Sequence, residues 1–223
     1  MSSREAILGG LRAALGRAEG DGARQAVAAR LAARATHPIP ARAQVPHDEQ
    51  VELFRRLAGE VGATSEILPG PAAVPEAVTR YLAQQNLPAE AAIAPDPELR
   101  AIPWHERPML ALKPGRTHGD DLVGITGAFA AVAETGTLVT HSGAHHPTTL
   151  NFLSETHIVV LPKARILGTY DEVWKRLRAV PGFVPRTVNF ITGPSRTADI
   201  EQTIQRGAHG PRRLHVLIVD GGS

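Results

Sequence analysis

A single carboxylate between two element ends is the first residue of this sequence whose surroundings suggest chemistry. Glu134 follows a helix-like segment of small residues, Thr126 to Ala133, and stands directly before a Thr-Gly-Thr turn that opens a strand at Leu138. An acid at an element end meets backbone N–H groups and solvent, and functional sites are often built there. Residue type alone leaves two interpretations open. Glu134 is either a functional acid or a surface charge at the end of a helix.

A second group of polar residues lies about sixty positions further on. The stretch TGPSRTADIE runs from Thr192 to Glu201, after a predicted strand at Val188 to Ile191. Gly193 permits a tight turn, and Ser195 and Arg196 offer a hydroxyl and a guanidinium beside the free N–H groups of a predicted helix start. These groups suit a carboxylate or a phosphate. Because ligands of open α/β sheets bind at the carboxyl ends of strands, we expect both stretches to line one pocket.

The same stretch permits a purely structural interpretation. Asp199 and Glu201 fall in the first turn of the predicted helix, where they already complement its positive end. They could instead hold sugar-type hydroxyls or orient Arg196. Plain capping of the helix by Ser195 or Thr197 therefore stays open beside ligand binding.

Three histidines, His141, His145 and His146, lie close together after the strand that Leu138 opens. A transition metal needs three or four converging ligands, and this loop could supply three. Neither an HExxH helix nor a nearby acidic ligand accompanies them. A solvated loop, or one histidine in contact with a substrate, is therefore favoured over a metal site.

Several common kinds of chemistry are disfavoured by motifs that the sequence lacks. It contains no cysteine, which excludes disulfides, cysteine nucleophiles and iron–sulfur clusters held by thiolates of this chain. No GxGxxG motif follows a predicted strand, and neither a Walker A loop nor a GxSxG elbow is present. Dinucleotide, NTPase and serine-hydrolase functions are therefore disfavoured, and we expect neither a cofactor nor a metal.

The composition is that of an ordinary globular protein. Of 223 residues, 43% are hydrophobic and 21% are charged, and the net charge is +2. No basic run has interleaved aromatic residues, so nucleic-acid binding is not expected. No stretch approaches the roughly 20 apolar residues of a membrane span, and no apolar leader opens the sequence. We therefore expect a cytoplasmic protein.

Apolar runs alternate with helical patterns along most of the chain. Continuous runs such as HIVVL, His157 to Leu161, are typical of strands buried in a parallel sheet. The alternation predicts an α/β fold with an open, largely parallel sheet. A helical extension with a Pro-rich linker, residues 1–45, precedes the predicted α/β domain at 46–223. Strands are also predicted at Thr64–Leu68, Ala91–Ala94, Met109–Leu112, Val188–Ile191 and Leu214–Val219, and helices at Ser2–Leu15, Ala23–Ala35, Asp48–Gly59, Pro75–Gln85 and Tyr170–Ala179.

The strings VGITGAFAAVAETGTLV, HIVVL and TGPSRTADIEQTIQRGAHGP together resemble the LUD-domain proteins, and among them those of lactate utilization. The resemblance implies a fold like that of the NagB/RpiA/CoA-transferase group, with helices on both faces of the sheet. It also implies a role in a three-protein system that oxidises L-lactate to pyruvate, in which partner subunits carry cysteine-bound iron–sulfur clusters. Glu134 matches the glutamate of the family's AETGT motif.

Three functional hypotheses follow. The leading one is a non-redox component of L-lactate oxidation that binds a small carboxylate or a partner subunit, with Arg196 on the carboxylate and Glu134 as base or orienter. The second is a stand-alone isomerase, acyl-transferase or cyclo-ligase with Glu134 catalytic. The third is a scaffold whose N-terminal helices dock a partner or a second copy of the chain. The candidate ligand-binding residues are Thr126, Thr135, Gly136, Thr137, Gly193, Ser195, Arg196, Thr197 and Asp199.

Overall fold

A computed structural model describes residues 2–16, 21–33, 38–180, 182, 185–197, 205–206 and 209–221. The contacts divide the chain into two units, Met1–Pro38 and Ile39–Ser223. The domain boundary predicted between residues 45 and 46 stays a prediction. Among the described residues, no helix is both long enough and apolar enough to cross a bilayer.

The first unit contains two helices, α1 (Ser3–Ala14) and α2 (Asp21–Ala33), within its described part. A capping box begins α1, because the Ser2 hydroxyl accepts from the Glu5 N–H and the Glu5 carboxylate accepts from the Ser2 N–H at 2.7 Å. This arrangement satisfies two backbone donors at the start of α1. The predicted end of the second helix, Ala35, lies outside the described residues. The apolar side chains of α1 and of the residue that follows it are exposed: Ile7, Leu8, Leu11 and Leu15.

The second unit holds helices α3 to α7 and strands β1 to β12 over the residues that are described. Its helices are α3 His47–Glu60, α4 Val74–Gln84, α5 Pro97–Arg100, α6 Thr149–Phe152 and α7 Tyr170–Arg178. Its strands are β1 Thr64–Leu68, β2 Glu90–Ile93, β3 Ala111–Pro114, β4 Val123–Gly127, β5 Ala130–Val132, β6 Thr137–His141, β7 Thr156–Pro162, β8 Ile166–Leu167, β9 Val188–Ile191, β10 Arg196–Thr197, β11 Gln205–Arg206 and β12 Arg213–Val219.

A parallel sheet forms the centre of this unit, and it confirms the predicted fold class. Its strand order is β1-β12-β7-β4-β2-β3, and every neighbouring pair is parallel. The central strands β7 and β12 are buried on both faces, as their continuous apolar runs predicted. One face packs against α4, α5 and α6 through residues such as Leu82, Leu99 and Leu150. The other face packs against α3 through Phe54 and Val51.

A second sheet, with the order β8-β5-β6-β9, lies in the same core as α3 and was not predicted. Strands β5 and β6 are antiparallel, as are β6 and β9, whereas β5 and β8 are parallel. The helix-like interpretation of Thr126–Ala133 is therefore wrong, because this segment ends β4 and then forms β5. Its alanines are buried on two sides, with Ala131 and Ala133 in the α3 core and Ala130 against Val173 of α7. Packing between two layers overrides the helix propensity of alanine.

The helix predicted to begin near Ser195 is also not what the structure shows. Arg196–Thr197 forms β10, which pairs antiparallel with Gln205–Arg206 in β11. The Ser195 N–H donates to the Pro211 carbonyl at 2.8 Å, which fixes the turn before β10. The predicted positions of Asp199 and Glu201 in a first helical turn lie outside the described residues.

Candidate functional site

Glu134 lies at the N-terminus of α7, buried within the α/β unit. Its side chain is 7% exposed. One carboxylate oxygen accepts a hydrogen bond from the backbone N–H of Tyr170, the first residue of α7, at 3.0 Å. Negative charge at this position complements the positive end of the helix. The structure therefore gives Glu134 an anchoring contact, and its role as a functional acid stays a prediction.

The two threonines beside Glu134 belong to a cluster of hydroxyl groups. Thr137 Oγ1 lies 2.7 Å from Thr135 Oγ1, 2.7 Å from Thr192 Oγ1 and 3.2 Å from the Tyr170 hydroxyl. These contacts join the turn after β5 to the start of α7 and to the end of β9. The hydroxyls predicted to bind a ligand are thus engaged with one another.

Two glycines of the predicted motifs lie against the C-terminal end of α3 and the residue that follows it. Gly136 has a φ of +65°, and a Cβ built on it would lie 2.3 Å from the Ala58 backbone nitrogen. Gly193 has a φ of +80°, and its Cβ would lie 2.7 Å from Val61 Cγ2. Both positions therefore require glycine for close packing as well as for backbone conformation. The Arg196 guanidinium also lies here, against Gly62.

The predicted site residues lie in three places in the described part of the chain, and they are divided between two cavities and a position outside both. Thr126 lines a cavity of about 210 Å³ at the carboxyl end of β4. Gly193, Ser195 and Arg196 line a different cavity of about 240 Å³. Glu134 lines neither of these cavities. The side chain of Thr197 and all of Asp199 lie outside what the structure describes.

The cavity beside Thr126 is the better candidate site, and we call it the Asp96 cleft. It lies where β2 and β4, neighbours in the parallel sheet, both end, which is where open α/β sheets bind ligands. Its walls combine two acids, two arginines, two histidines and an amide with an aromatic ring. These residues are Asp96, Glu98, Arg165, Arg176, His141, His146, Asn151 and Phe129.

Asp96 and His146 face each other inside this cleft. Asp96 is 5% exposed, and its Oδ1 caps α5 by accepting from the Glu98 N–H at 2.9 Å. Its Oδ2 lies 3.5 Å from His146 Nδ1. Burial lowers the pKa of His146, and neighbouring His141 lowers it further, whereas Asp96 raises it. A neutral His146 can accept a hydrogen bond or a proton at neutral pH.

Two guanidinium groups also line the cleft. Arg165 pairs with Glu98 and donates to the Ala128 carbonyl at 3.0 Å. Arg176 lies over the Phe129 ring, 5.7 Å from its centre, and no carboxylate among the described residues lies within ion-pair distance of it. Burial lowers the pKa of Arg176, and the nearby Arg165 lowers it further. Arg176 therefore offers a positive charge to an anionic ligand.

Thr126, which lines the cleft, forms a hydrogen bond between two strands of the sheet. Thr126 Oγ1 on β4 lies 2.8 Å from His157 Nε2 on β7. His157 is fully buried, and burial lowers its pKa to about 3, so the imidazole is neutral at physiological pH. Its Nδ1 is buried and has no hydrogen-bond partner in the part of the chain that the structure describes.

The histidine loop contributes to this cleft as a pair of rings. His141 and His146 meet edge to face with ring centres 4.6 Å apart, and both line the cavity, whereas His145 is exposed. Within the residues described, no group of three or more histidine or acidic side chains is placed to hold a metal ion. The prediction that one histidine of this loop contacts a substrate remains open, and the cleft gives it a location.

Sequence reasoning did not identify Asp96, Arg165, Arg176 or Asn151 as site residues. The signal for Asp96 was an acid between two prolines, directly after a short buried strand. Pro97 begins α5 and Asp96 caps it, so the motif was visible as a turn or short helix but not as part of a site. Arg165 lies directly before β8 and Arg176 lies in α7. The sequence around neither arginine contains a motif that indicates a site.

The fold and cleft define an α/β protein with a polar site at the carboxyl ends of a parallel sheet. Residues 120–219 match the LUD domain family. This match confirms the resemblance to LUD-domain proteins that the sequence motifs indicated. The crystal structure of a DUF162 family protein from Deinococcus radiodurans shares the fold, with a TM-score of 0.59 over 79% of this chain and 99% of that one, at 23% identity.

Several relatives are named lactate utilization protein C. That of a Geobacillus species is 37% identical over 100 residues, 44% of this chain and 42% of the relative. That of Halalkalibacterium halodurans is 36% identical over 101 residues, 44% of each chain. An uncharacterized protein of Neisseria meningitidis is 34% identical over 96 residues, 43% of this chain and 41% of the relative. The chain thus matches less than half the length of these relatives.

Proposed function

We propose that this protein is a non-redox component of a multi-protein system that oxidises L-lactate to pyruvate. The LUD domain and the relatives named lactate utilization protein C support this role. The chain has no cysteine, so thiolate-bound iron–sulfur clusters would belong to partner subunits.

The Asp96 cleft binds a small carboxylate in this proposal. The observation that carries it is the guanidinium of Arg176, which lines the cleft with no carboxylate partner among the described residues. A ligand carboxylate would pair with Arg176, and Arg165 would add positive charge behind it. A hydroxyl or carbonyl oxygen next to that carboxylate would then lie toward His146 and Thr126. In this proposal Arg176, and not Arg196 as the sequence predicted, is the residue that pairs with the ligand carboxylate.

Calorimetry with L-lactate and pyruvate tests the ligand. We expect Arg176→Gln to weaken binding about tenfold or more, because a charge-assisted hydrogen bond is lost. Arg178 is the matched control, since it lies in the same last turn of α7 and does not line the cleft. If Arg176→Gln and the wild-type protein bind these acids equally, the ligand carboxylate does not pair with Arg176 in this cleft.

Growth tests the role in the cell. A clean deletion should abolish growth on L-lactate as sole carbon source, and the wild-type gene or the Arg178→Gln gene should restore it. Restoration by Arg176→Gln to the wild-type rate, or normal growth of the deletion strain without a paralogue, contradicts the proposal.

The two rival hypotheses keep their own tests. Turnover by the purified chain that is lost in Glu134→Gln would favour a stand-alone enzyme. Loss of co-purifying iron–sulfur subunits on removal of the residues before Pro46 would favour a scaffold.

A further inference from the structure

The hydrogen bond between Thr126 and His157 has a direction that the surroundings of His157 determine. A neutral imidazole carries one N–H and one bare nitrogen. If Nδ1 carried the proton, that N–H would be buried without an acceptor, because Nδ1 has no hydrogen-bond partner among the described residues. Buried N–H groups without a partner are rarer than buried acceptors without one. The proton therefore belongs on Nε2, where Thr126 Oγ1 accepts it at 2.8 Å.

This direction decides what Thr126 can do. A threonine hydroxyl accepts with its lone pairs and donates its single hydrogen. When the lone pair toward His157 accepts from Nε2–H, the hydrogen of Thr126 is left for another acceptor. His157 is the hydrogen-bond partner that the structure shows for this hydroxyl, and Thr126 lines the Asp96 cleft.

We propose that His157 acts as a positioning residue that fixes Thr126 as a hydrogen-bond donor to an oxygen atom of the ligand in the Asp96 cleft. The class of ligand group is an acceptor oxygen, either of a carboxylate or of a carbonyl. The ligand half of this inference rests on the proposed function, whereas the tautomer of His157 does not.

The arrangement also explains why a histidine suits this position. Burial lowers the pKa of His157 to about 3, so the ring keeps one proton on one nitrogen across the physiological pH range. A charged donor would cost much more free energy at a fully buried position. The neutral ring therefore holds the Thr126 hydroxyl without placing a charge next to it.

NMR of the ligand-free protein tests the tautomer. Long-range ¹H–¹⁵N correlation separates a protonated ring nitrogen from a bare one, and a His157→Gln sample assigns the signals. We expect an Nε2–H imidazole that does not titrate between about pH 5 and about pH 8. A proton on Nδ1, or a titration near the ordinary histidine pKa, overturns the proposal.

Binding measurements test the donor. We expect Thr126→Val to weaken binding of L-lactate or pyruvate about tenfold, and Thr126→Ser, which keeps the hydroxyl, to bind within about threefold of wild type. Thr126→Val also leaves the His157 Nε2–H without its acceptor, so this variant could fold poorly. In that case the tautomer of His157 measured in the wild-type protein still tests the proposal. Unchanged binding by folded Thr126→Val overturns the donor role. An Nε2–H tautomer in a protein that binds neither acid supports the His157 assignment and removes the proposed ligand.

Discussion

The carboxylate of Glu134 accepts a hydrogen bond from the backbone N–H of Tyr170 at 3.0 Å, at the first residue of α7. The capping box of Thr169 and Glu172 serves the same helix end, so three side chains share the N-terminal N–H groups. The Ala133 N–H and the Glu134 N–H donate to the carbonyls of Leu167 and Gly168. These contacts fix the helix against the second sheet.

We therefore expect Glu134→Ala to lower the free energy of unfolding by about 1 to 3 kcal/mol, because a buried charge-assisted hydrogen bond is lost. Glu134→Gln keeps an acceptor and should cost less. Urea denaturation of the two variants measures the difference. If Glu134→Gln instead abolishes growth on L-lactate at unchanged stability, Glu134 is a functional acid and the anchoring role is secondary.

Gly136 provides a sharper test of how its turn packs against α3. Gly182 is its matched control, since the two glycines have φ values of +65° and +66°, but a Cβ at Gly182 meets no atom of the described residues within 4 Å. Alanine should cost about 1 to 2 kcal/mol at either position because of the backbone conformation. Gly136→Ala should cost about 1 to 3 kcal/mol more, because its Cβ meets the backbone of Ala58. Equal losses in thermal or urea unfolding would show that α3 does not approach the turn this closely.

The large sheet was predictable because its signal is local. Continuous apolar runs such as HIVVL mark strands that are buried on both faces, and β7 and β12 form where they were expected. The second sheet was not predictable in the same way. Its strand β5 consists of small residues that suit a helix equally well, and only burial between α3 and α7 selects the extended conformation.

The cleft was only partly predictable because its residues come from distant parts of the chain. Thr126 and the histidine loop stood out by type and spacing. Asp96 could not be recognised as a site residue from its own surroundings, because its partner His146 lies about fifty residues later in the sequence. In the fold, His146 Nδ1 lies 3.5 Å from Asp96 Oδ2. Conversely, Glu134 and Arg196 stood out as chemical groups, and the structure gives them contacts with α7 and with Gly62. Residue type identifies candidates, whereas long-range packing decides which of them meet.

Two buried histidines make stability depend on pH. Burial lowers the pKa of His157 to about 3 and that of His215 to about 4. Unfolded histidine has a pKa of about 6.5, so below that pH the unfolded state takes up protons that the folded state does not. The contribution of these two rings to stability is therefore fully present above about pH 6.5, and it falls with decreasing pH by about 1.4 kcal/mol per unit for each histidine until the folded pKa is reached.

Urea unfolding between about pH 7 and about pH 5 measures this slope. His157→Gln should reduce the slope by about one proton, whatever its effect on stability at neutral pH. His215→Gln should do the same, since His215 is buried beneath Tyr81, with ring centres 4.0 Å apart, and pairs with Thr64 at 2.7 Å. A slope that neither substitution changes would mean that these rings are protonated in the folded protein.

Substitutions of Asp96 and of His141, which both line the Asp96 cleft, should shift the pKa of His146 in opposite directions. Asp96 raises this pKa and His141 lowers it, beside the larger lowering by burial. Asp96→Asn keeps an oxygen that can cap α5 but removes the negative charge, so the pKa of His146 should fall further. His141→Gln removes the ring that lowers the pKa of His146, so this pKa should rise. Histidine NMR titrations of the two variants measure both shifts. His105→Gln is the control, because His105 is exposed and does not line the cleft. Shifts of the same sign in both cleft variants would show that His146 does not lie between these two groups.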